Sequence, residues 1–282
     1  MTLDVQIDEI MVSCIAHQIC DGEVIVQGLA TPLVAAGFLL ARAMHAPTLY
    51  FASAIGQGIC RYPAPLGLTR IEDLWLDRSL TTIGFVRVAA DFLPSQKPKE
   101  FFRPAQIDPN GNTNNIAFGK EYLRSDFRCS RLRLPGSGGI PDVSTFIHKI
   151  YLYIPQHSKV VFVPRLDVRS GLGYSEERKR GSGPVYLVSN LGQFDFYNGR
   201  LRLVNTHPQI TIPEIQRRTG FDLEIAPNVR ETPLPSREEL ELLRNEIDPL
   251  GVRRLELLNG NARKELISQI LEREALPAVS GR

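Results

Sequence analysis

The chain has 282 residues, 43% hydrophobic and 23% charged, with 33 Lys+Arg against 31 Asp+Glu and a formal net charge of +2. That length and apolar content suit one large α/β domain or two small ones, and the scattered, nearly balanced charge excludes the basic footprint of a nucleic-acid binder. No apolar run approaches membrane-spanning length, and the opening Met-Thr-Leu-Asp-Val-Gln-Ile-Asp-Glu is unlike a targeting peptide, so a cytoplasmic protein without membrane contact is expected. Neither Cys14, Cys20, Cys60 and Cys129 nor the five histidines show metal-ligand spacing, so reduced thiols and no bound metal or cofactor are expected.

Ile7, Ile10, Met11, Cys14, Ile15 and Ile19 recur at helical spacing, and Asp21-Gly22 supplies a stop. A strand follows over Glu23 to Gln27. Thr31 can then cap, and Pro32 open, a helix running to about His45. The nearly apolar Thr48 to Ser53 reads as a second strand. Strand, glycine turn, capped helix and buried strand make a βαβ unit, which builds a parallel sheet covered by helices. Further strands are predicted at Thr82 to Val88, Arg103 to Ile107, Lys159 to Val163 and Val185 to Ser189, and a helix over Asp142 to Ile150. Phe194 to Leu201 reads as a hairpin turning at Asn198-Gly199. A short helix over Thr211 to Thr219 precedes charged helical segments at Ser236 to Arg244 and Arg253 to Glu274, the latter interrupted by Asn259-Gly260-Asn261. No linker divides the chain.

Ligands of such sheets bind beyond the carboxyl ends of strands, near helix amino termini. Gly28 to Pro32, with Gly28 and Thr31, and the stretch from Ser53 to Gly58 lie there. Two loops add candidates. Asp108-Pro109-Asn110-Gly111-Asn112-Thr113-Asn114-Asn115 offers Asn112 and Asn114, which either meet a ligand or bond their own backbone. Leu134-Pro135-Gly136-Ser137-Gly138-Gly139-Ile140-Pro141-Asp142 carries three glycines in four positions, so its amides can crowd against a ligand or simply turn the chain. Asp142 either contacts that ligand or caps the helix. Glu176 to Arg180 reads as a solvated loop, with a ligand phosphate as the sharper alternative. His207, before Pro208, reads as structural.

Taken together, Val24 to Pro32, Gln106 to Asn114, Leu134 to Asp142, Val188 to Phe194, His207-Pro208, Thr219 to Leu223 and Arg244 to Gly251 resemble the β subunit of a class I coenzyme A transferase, of the glutaconate CoA-transferase type. The resemblance spans residues 5 to 251, taken as the domain 1–251, and leaves 252–282 as a helical extension. It implies a NagB/RpiA/CoA-transferase-like fold: an open, mostly parallel sheet flanked by helices. It also implies a separate α subunit, an α2β2 assembly with the active site at the junction of the chains, and a coenzyme A thioester as substrate. The acyl-CoA pocket is then shaped by the loop of Gly136, Ser137, Gly138, Gly139 and Asp142, whose amides bind CoA or stabilise a thioester oxyanion.

One position departs from the pattern. Transferases of this family carry a glutamate at the end of the second strand, whose carboxylate attacks the thioester. Here Ala52 stands in its place, and no acidic residue lies between Glu23 and Glu72. Ser53 is the nearest hydroxyl, with no local base, and Cys60 reads as a packing residue. Three readings follow: transfer with a carboxylate from the α subunit; non-transfer chemistry on an acyl-CoA (decarboxylation, hydrolysis or carbon–carbon cleavage); or a non-catalytic structural subunit.

Overall fold

The computed structural model describes residues 4–28, 30–53, 58–69, 76–119, 132–136 and 138–275. Ser137, Cys129 and the side chain of Asp142 lie outside the described set. In chain order the first elements are α1 (Ile7–Ala16), β1 (Val24–Gln27), α2 (Pro32–Met44), β2 (Tyr50–Ser53), β3 (Gly58–Cys60), β4 (Ser79–Thr82), β5 (Lys99–Phe102), β6 (Gln106–Ile107), β7 (Thr113–Asn114), β8 (Ala117–Phe118) and β9 (Leu132–Arg133). They are followed by α3 (Ile140–Phe146), β10 (Ile150–Ile154), β11 (Pro184–Ser189), β12 (Gly192–Tyr197), β13 (Arg200–Thr206), α4 (Ile212–Arg218), β14 (Glu224–Glu231), α5 (Arg237–Leu242) and α6 (Gly260–Ala275). The chain forms two compact units, one of residues 1–85 with 234–282 and one of residues 86–233.

In the first unit β1 and β2 pair in parallel, Val24 with Tyr50 through Gln27 with Ser53, and β3 and β4 add antiparallel strands. The predicted βαβ unit is therefore present. Helix α1 carries the expected apolar stripe, with Met11 and Ile15 fully buried. It lies so close to α2 that a Cβ on Gly37 would meet Ile15 at 2.6 Å. This accounts for a glycine in the interior of a helix, where it otherwise costs about 1 kcal/mol relative to alanine.

Residues beyond Gly251 belong to this unit. Arg253 is 4% exposed and its guanidinium meets Asp8 at 2.7 Å, Asp248 at 2.9 Å and Glu9 at 3.2 Å. Arg244 adds a second contact to Glu9 at 2.7 Å. The last turn of α6 is tied back by Glu274, whose carboxylate accepts from Thr69 N–H at 3.1 Å and its hydroxyl at 2.6 Å. The interruption expected at Asn259-Gly260-Asn261 is present: it separates a short helical turn over Val252–Glu256 from α6.

The second unit orders its strands β14-β13-β12-β11-β10-β5. Pairs β5–β10, β10–β11 and β13–β14 are parallel, and β11–β12 and β12–β13 antiparallel. The hairpin turn at Asn198-Gly199 is as predicted, both residues having positive φ (49° and 75°). Its core joins Phe102, Ile107, Leu152, Phe162, Leu187, Phe194 and Leu203.

Several boundaries are corrected. The helix predicted over Asp142 to Ile150 runs from Ile140 to Phe146, and its last predicted residue, Ile150, opens the strand β10, Ile150-Tyr-Leu-Tyr-Ile, buried at every position; a short, continuously apolar run has no periodicity to separate strand from helix. Conversely, Lys159 to Val163 is a turn, with Phe162 N–H donating to Ser158 O, and contributes only an isolated bridge between Ile107 and Phe162. The strand predicted over Thr82 to Val88 ends at Thr82 and gives way to a helical turn at Phe85–Arg87. Of that over Arg103 to Ile107 only Gln106–Ile107 is a strand, β6; β5 ends just before it at Phe102, ahead of Pro104, which has no N–H for a ladder.

Candidate functional site

At the carboxyl end of β1 the chain passes Gly28 into α2. Thr31 is positioned as predicted, but its hydroxyl donates to Gly28 O (3.2 Å) and caps nothing. The cap comes from 223 residues away: Glu256 Oε1 accepts from Leu33 N–H at 2.9 Å. The positive end of α2 thus already holds a carboxylate. Beside it, Gln27 and Ser53 are register partners at the ends of β1 and β2, 5% and 6% exposed. Ala52, one residue earlier, pairs in register with Val26 and Ile59, and its methyl is buried on one face of the sheet. The Cys60 thiol is buried and its pKa pushed up to about 11 by desolvation, consistent with packing.

In the second unit the amide-rich loop is organised by Asp108. Its carboxylate accepts from Asn110 N–H (2.9 Å), Asn112 N–H (3.0 Å) and Asn112 Nδ2 (2.9 Å). Burial raises the Asp108 pKa against these donors. Asn112 Oδ1 accepts from Gly173 N–H at 2.9 Å. Asn114 is fully buried; its Nδ2 donates to Gln106 Oε1 and Ala117 O, both at 2.8 Å, and its Oδ1 accepts from Ile116 N–H at 2.9 Å. Of the two roles open to these asparagines, the geometry supplies the loop-building one.

The glycine run has a different character. Gly136, Gly138 and Gly139 all have positive φ (111°, 50° and 88°), and a Cβ on Gly136 or Gly138 would meet nothing within 4 Å. Conformation, not crowding, calls for glycine there. Gly139 precedes α3 without a side-chain cap, and Asp142 follows in the first turn.

Two further groups take structural roles. Within the segment read as a solvated loop, Arg178 is half-buried and donates to the carbonyls of Gly173 (2.9 Å), Ser144 (3.1 Å), Arg180 (2.9 Å) and Leu172. Its guanidinium is spent on main-chain oxygens, whereas Glu176, Glu177, Lys179 and Arg180 are exposed, so the solvated reading holds for the segment and is corrected at Arg178 alone. His207 is buried between Thr232 Oγ1 (3.0 Å) and Ser189 O (2.7 Å), and the structural role expected of it holds. His157, which the sequence did not single out, stacks on Phe162 at 3.6 Å and lies 3.0 Å from both Ser189 Oγ and Thr219 Oγ1. No local pattern marked it, because its partners come from distant segments.

The parallel strand pairs and the helices that connect them define an α/β protein. No family model matches the sequence. Individual relatives do. The β subunit of glutaconate CoA-transferase from Acidaminococcus fermentans is 28% identical over 86% of this chain and 92% of its own length. The cholesterol ring-cleaving hydrolase IpdB subunit of Mycobacterium tuberculosis is 31% identical over 84% and 92%. Among solved structures, the decarboxylase AibA/AibB superposes with a TM-score of 0.76 at 29% identity, covering 89% of this chain and 98% of that one. The chain belongs to the class I coenzyme A transferase family, as a chain of the β-subunit type.

Proposed function

We propose that this chain is the β subunit of a two-chain enzyme that works on an acyl-CoA thioester without the covalent glutamyl route. The observation that carries this reading is the absence of any Asp or Glu from residue 24 to residue 71. That stretch contains β1, α2, β2 and β3, so neither Ala52 nor any neighbouring register supplies the family's carboxylate nucleophile. The hydroxyl of Ser53 is buried at the end of β2, and the Cys60 thiol is kept protonated.

What the chain retains suits binding and polarisation. In the second unit the positive-φ Gly136, Gly138 and Gly139 open their amides to an acyl-CoA, and in the first unit, by itself, Gly28 and Ser53 stand at strand ends suited to a ligand. Backbone N–H groups directed at a thioester oxygen stabilise the enolate that forms when a carboxylate leaves as carbon dioxide, or the oxyanion that forms when water adds. The α subunit contributes the remaining acid–base groups. Two of the relatives support the non-transfer reading by name, a ring-cleaving hydrolase and a decarboxylase. Residues 1–251 act as the family domain and 252–282 as an extension, of which Arg253, Glu256 and Glu274 bond to residues of the first unit.

Mass spectrometry of the chain co-expressed with its α subunit, given a panel of acyl-CoA esters with and without a free carboxylic acid, tests this. Consumption of an ester without acceptor is expected, the product mass separating water addition from loss of carbon dioxide. Turnover that requires the acceptor and delivers CoA to it overturns the reading and points to a carboxylate in the α subunit.

A further inference from the structure

Gln27 closes β1, is 5% exposed, and its buried Oε1 has no hydrogen-bond partner among the described residues. Buried amide oxygens are nearly always paired, so an orphan in a strand otherwise reading Val-Ile-Val needs a cause. Its position supplies one. Gln27 sits in register with Ser53 at the carboxyl ends of two parallel strands, where α/β sheets receive ligands.

The chemistry of the oxygen narrows the ligand. A carboxamide oxygen only accepts, so it cannot bind phosphate or carboxylate and must meet an N–H or O–H. The adjacent start of α2 gives the same direction, because Glu256 already occupies it and no anion is called for. In an acyl-CoA the N–H groups near the sulfur are the pantetheine amides, while the adenine amino group is at the far end of the molecule.

We propose that Gln27 Oε1 accepts the pantetheine amide N–H nearest the sulfur of a bound acyl-CoA and so registers the thioester against the end of β2. This rests on the acyl-CoA reading above. Gln27 is a positioning residue: the bond it makes fixes where the reacting carbonyl lies.

Calorimetry on the complex with the α subunit tests it with two probes, acetyl-CoA and adenosine 3′,5′-bisphosphate, which lacks the pantetheine arm. Gln27→Met, close in shape but without the acceptor, is expected to weaken acetyl-CoA binding roughly five-fold and leave the bisphosphate unchanged. The unliganded variant should melt higher than the wild type, since the orphan is gone. Gln27→Asn, which withdraws the same oxygen by one methylene, provides the comparison if Gln27→Met does not fold. Unchanged acetyl-CoA affinity, or equal loss for both probes, overturns the proposal while the acyl-CoA reading stands. A wild-type complex that binds no acetyl-CoA overturns both.

Discussion

Glu256 and Leu33 are 223 residues apart in sequence and 2.9 Å apart in space, the carboxylate of one accepting the first-turn amide of the other's helix. A helix cap supplied from the far end of the chain ties the start of α2 to the residues after Gly251. Glu256→Ala should lower stability by about 1–2 kcal/mol, and Glu256→Gln, which keeps an acceptor, by less. Urea titrations of the two variants beside the wild type measure the difference.

His157 and His207 should make the protein acid-sensitive. Burial lowers their pKa values to about 3 and about 4, from an ordinary 6.5. The unfolded chain therefore takes up protons first, so stability is complete above pH 6.5 and falls as pH drops toward the folded values. Between pH 6.5 and 5 each histidine should account for about 2 kcal/mol. Removing one by His157→Gln should make the loss over that interval visibly shallower in denaturant melts at the two pH values.

Glu100 carries the opposite sign of dependence. It lies in β5, and desolvation alone raises its pKa from 4.5 to about 8. The folded chain keeps a proton that the unfolded carboxyl has released by neutral pH. Its contribution is complete below pH 4.5 and is lost as pH rises toward 8. Glu100→Gln should then stabilise the protein at pH 7, by at most about 3 kcal/mol, and be close to neutral at pH 4.5. Thermal melts at the two pH values separate this from a general packing effect.

Two kinds of glycine should respond differently to alanine. A Cβ on Gly173 would lie 2.3 Å from Asn110 O and 2.4 Å from Asn112 N. Gly173→Ala should therefore cost about 3 kcal/mol by forcing the Asp108 loop apart. Gly138→Ala meets no atom within 4 Å and bears only the strain of its positive φ, about 1–2 kcal/mol. If the glycine run binds acyl-CoA, Gly138→Ala should lose affinity for acetyl-CoA out of proportion to its stability change. A proportionate change would reduce the run to a turn.

The sequence by itself determined the elements whose signal is local. The stripe of α1, the Pro32 start of α2, the Asn198-Gly199 hairpin and the short helix α4 follow from periodicity and turn chemistry within a few residues. The family motifs were legible for the same reason, as was the lack of acidic residues from 24 to 71. Tertiary structure alone decided what depends on partners distant in sequence. It made Ile150–Ile154 a strand by burying it between β5 and β11, and gave the cap of α2 to Glu256 in place of Thr31. It spent the groups of Asn114 and Arg178 within the fold and left Gln27 Oε1 unpaired among the described residues. A hydrogen bond is satisfied by whichever donor or acceptor folding brings within about 3 Å, and a linear pattern holds no record of that neighbour.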